Sequence, residues 1–386
     1  MSGPFSQQTF RASGYLRQAA CSAAALIFLT VIGACAGPQG LHQLRPETSV
    51  EWPLGADGGR VAWVKTIDRF QDLGLGKGFW KRVQELVVGE DTRSIARPHG
   101  VLHDPAGRLY LADPGGGVVH SLDIGRGRYS VIGAGADSPL RTPIGLAVDE
   151  RARLYITDSS DGMVYRHDPA DGSLRPFLAG KLKRPTGIAF NPVNRLLYIV
   201  DTLDSQIVAV NQDGVEQRRL GAPGEGSMRF NRPTDIAIDR SGQIYVTDSL
   251  NFRITVLTPD GQELRQFGEA GDARGFFSRP KGVAADSDGH VYVCDSLRDA
   301  VQVFAADGSP LLVFGTAGSG LGQFWMPSGL YIDSSDYIFV ADTYNQRIQV
   351  FRYISGREAR AGREGKPPAP GVRRSQQPME NTLEAA

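Results

Sequence analysis

The sequence is short of cysteine, with Cys21, Cys35 and Cys294 the only three in 386 residues. Cys21 lies in a leader and Cys35 at the end of it, as argued below. Cys294 is then left without a partner, which excludes an internal disulfide and leaves the compartment undefined by cysteine usage. An excess of charge of either sign is also missing, since Lys and Arg total 42 and Asp and Glu total 42. No basic surplus points to nucleic acid and no acidic surplus to a solvating tail. The apolar run from Ala19 to Ile32 has 14 residues, too short to span a bilayer comfortably. A Gly-Lys-Ser/Thr phosphate loop, a Gly-x-Ser-x-Gly elbow and a paired Cys-x-x-Cys are all absent.

Glycine, at 47, and proline, at 23, are plentiful, which suits many short strands joined by tight turns. The first 18 residues carry Arg11 and Arg17 and no acid, and the 14-residue apolar run follows. Together they read as an export leader. It ends in Ile32-Gly33-Ala34-Cys35, which resembles the bacterial lipoprotein cleavage box, although leucine is commoner at the place of Ile32. The resemblance implies removal of residues 1–34 and a lipid on Cys35; the alternative is an ordinary cleaved leader without lipid. The mature chain keeps 40 basic and 42 acidic residues. Ala36 stands where some lipoproteins carry an inner-membrane retention Asp, which favours the outer membrane by resemblance.

Internal repetition decides the fold. A Pro-x-Gly or Pro-x-Asp step recurs at Pro98, Pro143, Pro185, Pro233, Pro280 and Pro327, at spacings of 45, 42, 48, 47 and 47. An aspartate follows each in step: Asp113, Asp158, Asp201, Asp248, Asp295 and Asp342. In the fourth unit, Ile236-Ala237-Ile238 is a run too short for a helix, and 243–248 alternates as a strand. A third strand follows at 253–257, Asp260-Gly261 signals a hairpin, and 263–267 gives a fourth strand. One four-stranded sheet cannot bury both its faces, whereas six around an axis can. The expected fold is therefore all-β, a six-bladed propeller over residues 60–354. Unit six stops after its third strand, and 60–67 is an unassigned strand that completes it and leaves no open edge. The apolar spacing at 79, 80, 83, 86 and 87 predicts a short capping helix near 79–88. Residues 35–59 read as a tether or linker, and 355–386 as a disordered tail.

Asp248-Ser249-Leu250-Asn251-Phe252-Arg253-Ile254 and Asp342-Thr343-Tyr344-Asn345-Gln346-Arg347-Ile348 resemble the signature turn of NHL repeats. So do the Arg-Pro openings at Arg97, Arg184, Arg232 and Arg279. The resemblance covers residues 60–354. It implies the propeller but no single function, since NHL-type propellers include amidating lyases, RNA-binding tripartite-motif proteins, kinase sensor domains and bacterial lipoproteins.

The six strand-end aspartates are read as structural, capping the tight turn that follows each one and pairing with an arginine of a neighbouring Arg-Pro step. Candidate site residues are sought where the units differ. The position after each opening proline is expected to face the channel and reads His99, Ile144, Thr186, Thr234, Lys281 and Ser328. The next position is glycine five times and Asp235 once. Relatives of the amidating-lyase kind hold zinc with channel histidines, but only His99 fits here, and a zinc site needs at least three protein ligands. Relatives of the gluconolactonase kind hold a divalent cation with channel carboxylates, and Asp235 is the one carboxylate available. His103 is read as a packed core residue, His120 as a third-strand residue, and Cys294 as a small buried one. His290 is placed on an exposed turn and His167 near one.

The expectation is an exported, lipid-anchored binding or scaffold module of the cell envelope. Its face of Arg-Pro steps and Asp turns would hold a protein, peptide or glycan, with no cofactor, no metal and no nucleic acid. Two alternatives remain open: a lyase or hydrolase with a channel metal held at His99 or Asp235, and RNA binding, which neutral charge and export oppose. His99, Asp235 and Lys281 are also read as a candidate small polar site.

Overall fold

The computed structural model describes residues 50–54, 59–68, 95–180 and 182–364. The leader, Cys35, most of the linker, the expected helix near 79–88 and residues 365–386 lie outside the described residues. Six antiparallel sheets account for the fold. The first is Val101–His103, Arg108–Asp113, Val118–Asp123 and Arg128–Ile132. Four more of the same kind run through Leu178, Leu220, Phe267 and Phe314. The sixth is built from Leu330–Ile332, Tyr337–Asp342 and Arg347–Ile354. Arg60–Ile67 pairs antiparallel with Arg347–Ile354, with Arg60 opposite Ile354 and Ile67 opposite Ile348.

Each strand's sequence matches its depth. The second strands, such as Leu154–Asp158 and Val291–Asp295, are buried along their whole length. They read as apolar or β-branched at nearly every position, because a blade's two faces both meet neighbours. The fourth strands form the rim and carry charge, as in Glu216–Leu220. Six apolar clusters fill the spaces between successive blades. One joins Ile156 of the second blade to Leu102 and Tyr110 of the first, and another joins Phe339 of the last blade to Leu109 and Val101 of the first. The segment from the chain's beginning contributes Val64 and Ile67 to that last cluster and Val61 and Trp63 to the cluster between the fifth and sixth blades.

Glycine sets how closely the blades approach at the axis. A Cβ on Gly100 would stand 2.1 Å from the Ile144 carbonyl oxygen, and one on Gly145 2.2 Å from that of Thr186. On Gly329 it would stand 1.9 Å from the carbonyl oxygen of His99, across the seam where the ring closes. At these glycines the innermost strand lies against the backbone of the next, which leaves no room for a side chain pointing that way.

Two segments depart from the sequence reading. Glu51–Pro53, read as linker, adds a fifth strand to the last sheet, pairing with Arg60–Ala62. Trp52 anchors it by packing on Phe314 and Phe351, with ring centroids 5.5 and 5.8 Å away. Gly356–Glu364, expected to be disordered, forms a helix. Its start is fixed locally: the Ser355 hydroxyl accepts the Glu358 N–H at 3.2 Å, Glu358 pairs with Arg352 at 2.9 Å, and Ala359 is buried. Composition alone does not register such a cap.

Candidate functional site

The innermost strands surround a channel whose two ends differ. On the face of the Arg-Pro steps a cavity of about 430 Å³ is lined by His99, Ile144, Thr186, Thr234 and Lys281 at its floor and Arg184, Arg232 and Arg279 around its wall. Leu203 and Leu250 stand at its rim. From the opposite face a cavity of about 380 Å³ runs inward between aliphatic side chains such as Val101, Ile188 and Val283 to Asp235 and Ser328. His99, Ile144, Thr234 and Lys281 border both cavities and form the neck between them.

The seven inner positions singled out in the sequence therefore line the channel, but they serve different ends. Ser328 is buried, and its hydroxyl hydrogen-bonds with the Thr343 hydroxyl at 2.7 Å and with the Pro98 carbonyl at 3.4 Å, tying the last blade to the first. The Thr186 hydroxyl lies 2.8 Å from that of Thr202. Asp235 occupies the place that is glycine in the other blades, and its carboxylate crosses to the fifth blade to accept the Val283 N–H at 3.2 Å. Burial pushes its pKa up to about 7. Burial and the charge of Lys281 push His99 down to about 3, so its imidazole is neutral at physiological pH. Burial also lowers Lys281, and Arg279 and Arg184 repel its charge further.

Of the four Arg-Pro arginines, Arg184, Arg232 and Arg279 face the cavity, and Arg97 does not. Arg97 lies over the Tyr344 ring, 5.5 Å from its centroid. Arg232 is held at φ 52°, in the left-handed region, with its N–H donating to the Ser205 hydroxyl at 3.2 Å.

The strand-end aspartates are buried, and their main partners are not on the turn that follows. They accept backbone N–H groups from the loop leading into their own blade. Asp113 takes Ala96 at 2.7 Å and Arg97 at 2.9 Å, and Asp201 takes Lys183 and Arg184, both at 2.9 Å. Asp295 takes Ser278 and Arg279, both at 2.8 Å, and Asp158 takes Arg141 and Thr142 at 2.6 and 2.9 Å. Turn N–H groups are secondary, as with Gly115 at 3.0 Å on Asp113. For Arg97, Arg184 and Arg279 it is the peptide N–H that the carboxylate holds, which leaves the guanidinium to point elsewhere; Asp248 takes the Asn231 N–H instead, at 2.7 Å. In the fourth and sixth blades Arg253 and Arg347 close the set, donating to Asp248 at 3.0 Å and to Asp342 at 2.7 Å.

A second acidic series escaped the sequence reading: Asp104, Asp149, Asp239, Asp286 and Asp333, with Asn191 in the third blade. These residues brace the turns on the opposite face. Asp286, for example, accepts the His290 N–H at 2.9 Å, the His290 ring nitrogen at 2.8 Å and the Tyr292 hydroxyl at 3.0 Å. His290 is accordingly only partly exposed, packed edge-on against Tyr353 at 5.3 Å, rather than on an open turn. Asp333 reaches across the seam to the buried His103 at 2.8 Å. The spacing held the signal, since these residues stand nine positions before the strand-end aspartates, ten in the third blade. Cys294 is wholly buried, and burial pushes its thiol well above the usual range. Among the described residues no three His, Cys, Asp or Glu side chains converge as metal ligands, and no helix is long and apolar enough to cross a membrane.

Residues 156–268 match the family described as the SMP-30/gluconolactonase/LRE-like region, and residues 277–304 and 324–351 match the NHL repeat. No curated protein matches the chain. Among solved structures it resembles virginiamycin B lyase from Staphylococcus aureus, with 15% identity and a TM-score of 0.52 over 68% of this chain and 96% of that one. It also resembles an auxiliary nutrient binding protein from Bacteroides thetaiotaomicron, with 16% identity and a TM-score of 0.55 over 67% and 69% of the two chains. A gluconolactonase from Xanthomonas campestris aligns at 17% identity and a TM-score of 0.52 over 78% and 91%. These identities carry the fold and nothing finer.

Proposed function

We propose that this NHL-repeat six-bladed β-propeller is a binding module that holds a protein, peptide or glycan partner at the channel mouth on its Arg-Pro face. The observation that carries this reading is the contrast between the repeated and the exceptional residues. The six strand-end aspartates are consumed by backbone N–H groups, while Arg184, Arg232 and Arg279 project into an open cavity beside exposed leucines. A rigid ring with variable side chains at one mouth is a surface suited to recognition. In the same proposal the leader exports the chain and a lipid on Cys35 tethers it to the envelope.

Crosslinking in an envelope fraction tests the reading. A specific partner is expected with the native protein and is lost when Leu250→Glu is introduced at the rim. Turnover of a substrate by purified protein, abolished by Asp235→Ala, would overturn it in favour of an enzyme. Incorporation of radiolabelled palmitate, lost in Cys35→Ser, tests the tether; equal labelling of both proteins would overturn it.

A further inference from the structure

The cavity at the mouth is unbalanced in charge. Arg184, Arg232, Arg279 and Lys281 all line it, and no carboxylate does. None of the four has an ion-pair partner among the described residues, although arginines elsewhere in the ring are matched: Arg108 to Asp104 at 2.8 Å, Arg153 to Asp149 at 2.6 Å, and Arg347 to Asp342 at 2.7 Å. The two strand-end carboxylates that hold the peptide N–H groups of Arg184 and Arg279, Asp201 and Asp295, are already engaged by two backbone donors each. Like charges gathered over a low-dielectric floor repel one another; Lys281 is lowered first by burial and then by the charges of Arg279 and Arg184. An arriving anion would relieve that repulsion.

The rim adds a second requirement. The residue two places after the strand-end aspartate is Leu203, Leu250, Leu297 and Tyr344 in the third to sixth blades. These side chains stay 43%, 44%, 57% and 42% exposed. The matching residues of the first two blades are Gly115 and Ser160, so the apolar surface is a crescent on one side of a cationic well. A ligand that satisfies both parts presents a carboxylate to the well and aliphatic or aromatic side chains to the crescent. A cavity of about 430 Å³ takes one or two side chains, not a folded element. A phosphodiester chain is disfavoured because the protein as a whole has no basic surplus.

We infer that the mouth recognises an acidic peptide segment in which a Glu or Asp side chain sits among apolar neighbours, the carboxylate descending between Arg184, Arg232 and Arg279 toward Lys281. The inference rests on the binding-module reading and specifies its ligand.

The test is to pan a random dodecapeptide display library on the immobilised full chain. Recovered peptides are expected to be enriched in Glu or Asp beside Leu, Ile or Phe. A labelled representative should lose about tenfold in affinity or more when its acid is changed to the amide, and again when the protein carries Lys281→Met. Arg232→Gln, at an exposed position that leaves the fold intact, should weaken it comparably. Melting temperatures of both variants distinguish lost recognition from lost folding. Recovery without acidic enrichment, no recovery at all, equal affinity for the acid and amide peptides, or tighter binding of a labelled oligothymidylate would each overturn the inference. Should an envelope partner still crosslink in a way that Leu250→Glu abolishes and Arg232→Gln does not, the binding module survives and the acidic ligand falls.

Discussion

Asp235 offers a direct measurement of how the axis is built. Its pKa is raised from 3.8 to about 7 because burial penalises the carboxylate more than the Val283 N–H rewards it. Between those two values the folded chain keeps the proton and the unfolded chain has lost it. Unfolding then releases a proton, and stability falls as pH rises. The favourable contribution is complete below about pH 4 and is gone once pH exceeds about 7. At about 1.4 kcal/mol per pH unit the full span amounts to about 4 kcal/mol. Solvent reaching the carboxyl through the channel lowers the expected amplitude to about 2 kcal/mol. His99 works the other way: its depressed pKa means stability is lost as pH falls below its ordinary value, so the native profile alone mixes two titrations. Subtracting Asp235→Asn isolates one, because the amide oxygen still accepts from Val283 and carries no charge. Urea denaturation of both proteins from pH 4 to 8 should give a variant that gains about 2 kcal/mol on the native chain across the series. A difference between the two that stays constant with pH would show that the Asp235 carboxyl is as well solvated folded as unfolded, and the buried-channel reasoning would fail.

Three further perturbations probe the ring itself. Gly329→Ala puts a methyl group 1.9 Å from the His99 carbonyl oxygen; calorimetry should show a loss of about 3 kcal/mol or more, since both partners are backbone, and a loss under 1 kcal/mol would mean the seam is looser than described. Trp63→Ala empties a site 3% exposed beside Phe351 and Tyr353; the expected cost is about 3–5 kcal/mol by urea denaturation, and an unchanged midpoint would detach that strand from the ring. Gln346→Gly relieves an exposed residue held at φ 55°; it should stabilise by about 1 kcal/mol, and destabilisation would point to a side-chain role for Gln346.

The repeat was legible because it is enforced six times over. The prolines open innermost strands, the aspartates pin the loops before them, and the apolar alternation fills six inter-blade clusters, so each feature appears wherever the geometry recurs. What composition hid was local and unrepeated: the Trp52 anchor of Glu51–Pro53, and the Ser355 cap that starts Gly356–Glu364. The aspartates do cap the following turn, as Asp113 does with Gly115 and Gly116, but their shorter bonds to the preceding loop were missed for a related reason. Sequence proximity favours the next turn, while the partners lie sixteen and seventeen residues back, brought close only by the antiparallel pairing of the first two strands.

The division between repeated and exceptional residues also explains why the channel positions were legible in the sequence while their hydrogen-bond partners were not. Five glycines at the axis fix the blade separation, so any residue that replaces one has to sit where two backbones already touch. Asp235 does so at the fourth blade, lying within 2.6 Å of where a Gly187 Cβ would be. A short side chain able to bond the next strand's N–H fits that place, and an apolar one of similar size would leave Val283 without its acceptor. Structural demand thus accounts for the presence of a carboxyl at Asp235, though not for three arginines and a lysine gathered at one mouth with no acid among them. No backbone needs those charges: the Arg184 and Arg279 peptide groups are satisfied by Asp201 and Asp295 whatever the side chain. Among the described residues these four side chains make no ion pair, which is why the mouth is where the proposed partner is to be tested. The function of this ring is therefore to be sought in the residues its architecture leaves unused.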